Sequence, residues 1–103
     1  MDCIGIKVPE TTSVSKCVAV LRKLLPLQVS EIKRRIEKRE YLFIGSFVDL
    51  EEVDLALNIC RALASAGIEA ECYEHSEYFD EDRPYSNEDL ENWSRSCHEI
   101  ESD

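Results

Sequence analysis

The spacing of apolar residues predicts three helices and three strands before residue 75. The stretch from Asp49 to Glu74 gives the clearest signal, because apolar positions recur every three or four residues up to Gly67 and then alternate with acids. Asp49 with Glu52 matches a capping box, and Gly67 matches the left-handed residue that ends a helix. The stretch is therefore predicted to fold as a capped helix, a glycine stop and a strand.

The residues before Asp49 carry patterns of the same kinds. They predict a strand over residues 2–8, a helix over 14–25, a second helix over 30–39 and a strand over 40–47. Thr12 or Ser13 is expected to cap the first helix, and Pro26 is expected to end it. With a last strand over residues 68–74, the order is strand, helix, helix, strand, helix, strand.

This order predicts one domain of the α+β class, a split βαβ sandwich. The first strand is expected to lie antiparallel between the other two in a three-stranded sheet, with the helices on one face. Residues 1–74 form the sandwich, and residues 75–103 form an acidic loop and a C-terminal helix of the same domain. Ser86 with Asp89 begins that helix as a second capping box. Its apolar residues form a narrow seam suited to docking on a helix or groove: Leu90, Trp93, Cys97 and Ile100.

Charge divides the chain into two unequal parts. The net charge is −10, but residues 1–68 contain nine acids and ten bases, whereas residues 69–103 contain thirteen acids and two bases. The second part therefore carries −11, which repels nucleic acid and anionic membranes and favours a basic protein partner. The alternative is that the charge only keeps the protein in solution.

The five cysteines are odd in number and include no Cys-x-x-Cys pair. Periodicity assigns Cys17, Cys60 and Cys72 to the core, as free thiols typical of a reducing compartment. The N-terminal residues lack the basic region of a signal peptide, and no run approaches the ~20 apolar residues of a membrane helix. These features predict a cytoplasmic protein.

Candidate chemistry is sparse, and the chain is predicted not to be an enzyme. A zinc-compatible set of side chains consists of Cys72, His75, Cys97 and His98. However, Cys72 is expected to point inward while His75 lies beyond the strand, and neighbours on a helix point about 100° apart. The chain has no glycine-rich phosphate loop, and its two histidines both lie in the acidic part. We therefore expect no metal and no cofactor.

A cluster of bases on the second predicted helix is a further candidate. Its members are able to contact phosphates: Lys33, Arg34, Arg35, Lys38 and Arg39. The interspersed acids Glu31, Glu37 and Glu40 favour a solvated face instead. A third alternative is that this face holds the acidic part of the same chain.

Residues 4–74 resemble the C-terminal domain of the bacterial ribosomal stalk protein. The most specific piece is similar to the family's Gly-Leu-Gly-Leu-Lys-Glu-Ala-Lys helix and its continuation: Leu27, Val29, Glu31, Lys33, Ile36 and Glu37. The segment ALASAGIEAECYE is similar to the family's final helix and strand. The resemblance implies a non-enzymatic protein-binding module, because stalk domains recruit translational GTPases.

Three positions depart from the family's helix. Pro26, Gln28 and Ser30 stand where the family has two glycines and a lysine. Only Glu31 and Lys33 carry over position by position.

The leading functional hypothesis concerns the acidic part. Half of the eight aromatic residues lie between residues 78 and 93 among many acids, which suits a hot spot for a basic protein surface. The predicted partner-binding residues are Tyr78, Phe79, Asp80, Glu81, Asp82, Tyr85, Glu88, Asp89 and Trp93. The prediction is an immunity or antitoxin-type inhibitor, a monomer or weak homodimer, that occupies a basic site on a toxin. The alternatives are an adaptor that engages translational GTPases, as the resemblance implies, and aromatic side chains that only cover the open face of the sheet.

Overall fold

The computed structural model describes residues 2–76 and 81–101 and confirms the predicted α+β class. In chain order its elements are β1 (Asp2–Lys7), α1 (Val14–Leu21), α2 (Val29–Glu37), β2 (Phe43–Ser46), α3 (Leu50–Ser65), β3 (Glu71–Ser76), β4 (Glu81–Pro84) and α4 (Asn87–Glu101). None of the helices in this described part of the chain combines the length and apolar character that crossing a bilayer requires.

The sheet differs from the prediction in its number of strands. Over the described residues it has four strands in the order β2-β1-β3-β4, whereas three were expected. The prediction that β1 lies antiparallel between its two neighbours is confirmed, since β1 pairs antiparallel with both β2 and β3. The β2 and β3 strands therefore run parallel to each other with β1 between them, and α3 connects them. This is the split βαβ arrangement.

The additional strand, β4, comes from the segment that was predicted to be a loop. It pairs antiparallel with β3, and its four residues, EDRP, are exposed. Acids and proline are depleted in strands, so the sequence carries no strand signal here. An edge strand tolerates both, because one of its sides pairs with nothing and proline can occupy a position that need not donate.

The helices and the sheet enclose one hydrophobic core. Alternation along the strands directs Ile4 and Ile6 of β1, with Cys72 of β3, towards the helices, and all three are buried. The predicted core positions Cys17, Cys60 and Cys72 are confirmed as buried. Burial raises the pKa of the Cys17 thiol to about 11, so it packs as a neutral apolar group.

The caps of α3 confirm part of the predicted pattern. Asp49 Oδ1 accepts hydrogen bonds from the N–H groups of Glu51 and Glu52, at 3.0 and 3.3 Å. Gly67 has φ +78°, and the N–H of Ile68 donates to Leu63 O at 2.9 Å, which together form the expected left-handed C-cap. The capping box itself was wrong, because the Glu52 carboxylate does not return to Asp49. It accepts the Ser46 N–H of β2 at 2.6 Å and so ties helix to sheet.

Several element boundaries also differ from those predicted: β2 spans Phe43–Ser46 instead of 40–47, and β3 spans Glu71–Ser76 instead of 68–74. The α1 helix ends at Leu21, and the N–H groups of Leu24 and Leu25 both donate to Leu21 O in the turn that follows. Pro26 restricts only Leu25, the residue before it, so the expectation that Pro26 ends α1 was wrong: the helix stops four residues before Leu25. Ser13 caps α1 as expected, accepting the Lys16 N–H.

The C-terminal helix, α4, packs against α3. Leu90 is fully buried, and the buried Ser94 hydroxyl donates to Asp54 Oδ1 of α3 at 2.8 Å. Of the predicted seam, Leu90 is therefore buried within its own chain and Trp93 contacts Phe47, whereas the side chain of Ile100 lies outside the described part of the structure.

Candidate partner-binding surface

Four of the predicted acidic residues lie on two neighbouring segments, β4 and the first turn of α4. Their side chains are all exposed: Glu81, Asp82, Glu88 and Asp89. The predicted residues Tyr78, Phe79 and Asp80 lie outside the described part of the chain. We call the four exposed acids the acidic rim.

Two of these acids also have structural contacts. Asp82 Oδ1 lies 2.6 Å from His75 Nδ1 of β3. The Tyr41 hydroxyl, and after it His75, lowers the pKa of Asp82, so this carboxylate stays charged. Asp89 Oδ2 accepts the Ser86 N–H at 3.3 Å, while Ser86 Oγ accepts the Asp89 N–H at 3.0 Å, so the second predicted capping box is confirmed.

The predicted aromatic residues Tyr85 and Trp93 form a cluster with Phe47, a residue that the sequence did not single out. The Phe47 ring lies 5.3 Å from the Tyr85 ring and 6.2 Å from the Trp93 ring, both edge to face. Trp93 Nε1 donates to Phe47 O at 2.8 Å. All three side chains are half-buried. We call them the aromatic cluster.

The aromatic cluster lies on the helix side of the sheet, so the alternative that Trp93 covers the open face is wrong. Tyr85 follows β4 with its N–H bonded to Cys72 O at 2.8 Å, and Cys72 faces the core. Phe47, Tyr85 and Trp93 together with Glu74 line a cleft of about 300 Å³. Burial, and then the charges of Asp89 and Glu74, raise the pKa of Tyr85.

A different set of side chains occupies the open face of the sheet. Lys7 Nζ lies 4.6 Å from the centre of the Tyr41 ring and 4.9 Å from that of Tyr73. The Tyr73 hydroxyl donates to Glu71 Oε1 at 2.8 Å, and Arg39 donates to Glu71 Oε2 at 2.6 Å. The Tyr41 hydroxyl is buried and has no hydrogen-bond partner among the described residues. Burial, and after it the Asp82 carboxylate, raises the pKa of Tyr41. The sequence prediction missed this cluster.

The basic residues of α2 are largely engaged by acids. Arg34 pairs with Glu31 and Glu40, and Arg35 Nε lies 2.9 Å from Glu31 Oε1. Arg39, just beyond the helix, binds Glu71, the second acid of the acidic part of the chain. Each alternative is therefore met by a different residue. The exposed Arg34 fits a solvated face, whereas Arg39 holds an acid of the acidic part of the chain.

Serine, histidine and aspartate also meet between α3 and α4, beside a cavity of about 380 Å³. Asp54 is at the centre: Ser94 donates to Oδ1, and His98 Nε2 lies 3.2 and 3.1 Å from the two carboxylate oxygens. In a catalytic triad the imidazole lies between hydroxyl and carboxylate and removes the hydroxyl proton. Here the carboxylate separates them, so the contacts link two helices and do not activate Ser94.

The candidate zinc ligands do not assemble. His75 belongs to β3 and is not beyond the strand as expected, but alternation directs it to the open face and Cys72 to the core. Over the described residues, no three potential histidine, cysteine or carboxylate ligands come together.

Comparison of the chain with protein-family models, with curated proteins and with solved structures finds no match.

Proposed function

We propose that this chain is an acidic protein-binding domain that docks its β4 strand and α4 helix on a basic surface of a protein partner. In its specific form the proposal is an immunity-type inhibitor that covers the basic site of a toxin in the cytoplasm. The observation that carries it is the acidic rim, which stands exposed on the two segments that flank the aromatic cluster.

The composition of this surface supports binding to a basic protein. Protein interfaces concentrate their binding energy in central aromatic residues, and a polar rim surrounds them. Carboxylates in the rim attract a basic surface over long distances and raise the association rate, and residues 69–103 carry −11 in total. The same charge repels nucleic acid, so a protein is the favoured class of partner.

The rigidity of the surface also supports the proposal. The capping box of Ser86 and Asp89 fixes the start of α4, and the Trp93 hydrogen bond to Phe47 O fixes the indole ring. A surface that is ordered before binding loses less conformational entropy when the partner arrives.

The test is affinity capture from the native organism, followed by quantitative binding to the captured protein. One variant removes three rim charges that cap no helix: Glu81→Gln, Asp82→Asn and Glu88→Gln. The matched control removes three exposed charges elsewhere: Glu10→Gln, Glu37→Gln and Glu69→Gln. We expect the wild type and the control to retain a basic protein, and the rim variant to lose it with a shallower dependence of affinity on salt.

Recovery of a translational GTPase without a basic, toxin-like protein would refute the proposal. Binding that depends on Lys33 and is indifferent to the rim variant would instead favour the adaptor suggested by the stalk resemblance. Lys33 is exposed on α2 and can be changed to Gln without altering the core.

A further inference from the structure

The cleft lined by Phe47, Glu74, Tyr85 and Trp93 offers aromatic rings more than hydrogen-bonding groups. Trp93 Nε1 already donates to Phe47 O at 2.8 Å, and the Tyr85 hydroxyl donates to Asp89 O at 3.4 Å. Glu74 has an interaction within its own chain and is not counted among the groups that recognise an occupant. The three half-buried rings of the aromatic cluster are therefore the surface that an incoming group would meet.

The geometry of these rings suits a further aromatic ring. The Phe47 ring stands at 73° to Tyr85 and 77° to Trp93, with centre-to-centre distances of 5.3 and 6.2 Å. An aromatic ring has a negative face and a positive edge, so aromatic pairs favour this edge-to-face contact. Rings that meet nearly at right angles turn both faces and edges towards the space between them. An incoming aromatic ring can therefore add an edge-to-face contact, which an aliphatic side chain cannot.

The charge around the cleft restricts the kind of segment that can carry this ring. The acidic rim stands on the two segments that flank Tyr85: β4 directly precedes it, and Glu88 and Asp89 are exposed at the start of α4, which also carries Trp93. Burial, and then the charge of Asp89, raise the pKa of Tyr85, so this carboxylate acts on the cleft itself. Charge complementarity therefore favours basic residues beside the incoming ring.

We propose that the cleft receives one aromatic side chain of the protein partner, from a segment whose neighbouring residues are basic. The inference rests on the proposed function and names the group that anchors the partner. The residues that dominate an interface are enriched in tryptophan and tyrosine, lie near its centre and tend to pair with the dominant residues of the other protein. The cleft has a volume of about 300 Å³, and a ring that enters it buries apolar surface that is now half-exposed.

The chain's single tryptophan provides the assay, because its indole N–H gives one signal in a ¹H–¹⁵N NMR spectrum. The probe is the peptide Lys-Lys-Phe-Lys-Lys with both ends blocked. Three comparison peptides carry alanine in place of phenylalanine, leucine in place of phenylalanine, or glutamine in place of every lysine. We expect the probe to shift the Trp93 signal saturably and to bind about tenfold more tightly than the alanine peptide, because burial of a phenylalanine ring stabilises the complex. The leucine and glutamine peptides should bind less tightly than the probe.

Each comparison peptide has an outcome that contradicts the proposal. Equal affinity of the probe and the alanine peptide would mean that only charge is recognised. Equal or tighter binding of the leucine peptide would overturn the preference for an aromatic ring, and the same result with the glutamine peptide would overturn the requirement for basic neighbours. A shift of the Trp93 signal that does not saturate would overturn the site itself.

Two tyrosine variants locate the site. Tyr85→Leu removes one ring of the cleft and should weaken binding of the probe about three- to tenfold, with the affinity of the alanine peptide unchanged. The matched control Tyr73→Leu makes the same change on the open face of the sheet and should leave both affinities unchanged. Circular dichroism checks that each variant is folded, and Phe47→Leu replaces Tyr85→Leu if that variant unfolds. Equal losses in the cleft variant and the control would contradict a site in the cleft.

The two proposals fail in different ways. If the probe binds as expected but no basic protein is captured, the proposed function is wrong and the chemistry of the cleft stands. If a basic protein is captured equally well by the wild type and by Tyr85→Leu, the aromatic anchor is wrong and the proposed function stands.

Discussion

Gly5 sits beneath the Tyr41 ring on the open face of the sheet, and its replacement by alanine should force that ring to move. A Cβ atom at this position would clash with Tyr41 Cε1 and lie 2.6 and 2.8 Å from Tyr41 Cδ1 and Cζ. These distances are far below van der Waals contact. The displaced ring would also leave Lys7, whose Nζ lies 4.6 Å from its centre.

The expected cost follows from these contacts. Overpacking costs about 1–3 kcal/mol, and the lost contact between Lys7 and Tyr41 adds about 0.5–1 kcal/mol. Alanine in a strand recovers about 0.5–1 kcal/mol relative to glycine. Gly5→Ala should therefore lower the free energy of unfolding by about 1–3 kcal/mol in total. In a Tyr41→Ala background the clash is absent, so the same change should be neutral or stabilising.

The measurement is urea denaturation of the wild type, both single variants and the double variant, which together form a double-mutant cycle. We expect a coupling energy of about 2 kcal/mol. The control is Gly45→Ala, whose Cβ would meet the Phe43 ring at 2.8 Å, so its cost should not depend on Tyr41. An equal cost of Gly5→Ala in both backgrounds would refute the steric argument.

Three further predictions concern contacts that hold the elements together. Glu52→Ala removes the acceptor of the Ser46 N–H and should lower the free energy of unfolding in urea by about 1–2 kcal/mol; an unchanged midpoint would contradict this. Arg39 holds the pKa of Glu71 below its ordinary value of 4.5. The charged Glu71 therefore stabilises the fold above pH 4.5, and this stabilisation is lost as the pH falls through the lower pKa of the folded state. Arg39→Gln should therefore flatten the pH dependence of stability below pH 4.5, and urea midpoints at several pH values test this; an unaltered slope would rule it out. Gly67→Ala places a Cβ on a residue with φ +78° and no neighbouring atom within 4 Å, so only backbone strain opposes the change. This strain should lower the free energy of unfolding by about 1 kcal/mol and therefore lower the Tm. A higher Tm would show that strain at residue 67 does not destabilise the alanine variant.

Local patterns were sufficient for most of the fold. Alternation identified β1, the caps at Ser13 and Asp49 identified two helix starts, and Gly67 identified the end of α3. These signals depend on residues that are close along the chain, so they can be recognised without knowing how distant segments pack. The β4 strand was missed because its stability comes from pairing with β3, not from the propensities of its own residues.

The candidate site was predictable only in part. Acid content and aromatic clustering pointed to Tyr85, Trp93 and the acidic rim, but nothing in the sequence singled out Phe47. An aromatic residue after an apolar strand usually packs in the core, so it carried no separate signal. Glu74 was equally ordinary as one of many acids in its region.

The sequence by itself determined the layered α+β architecture, the caps and the separation of charge, because periodicity, capping and composition are properties of short segments. Only the tertiary structure decided that Trp93 donates to Phe47, 46 positions earlier, and that Glu52 binds β2 instead of completing its capping box. The relative positions of distant segments are set by how the whole core packs. The cleft and its charge are products of that packing.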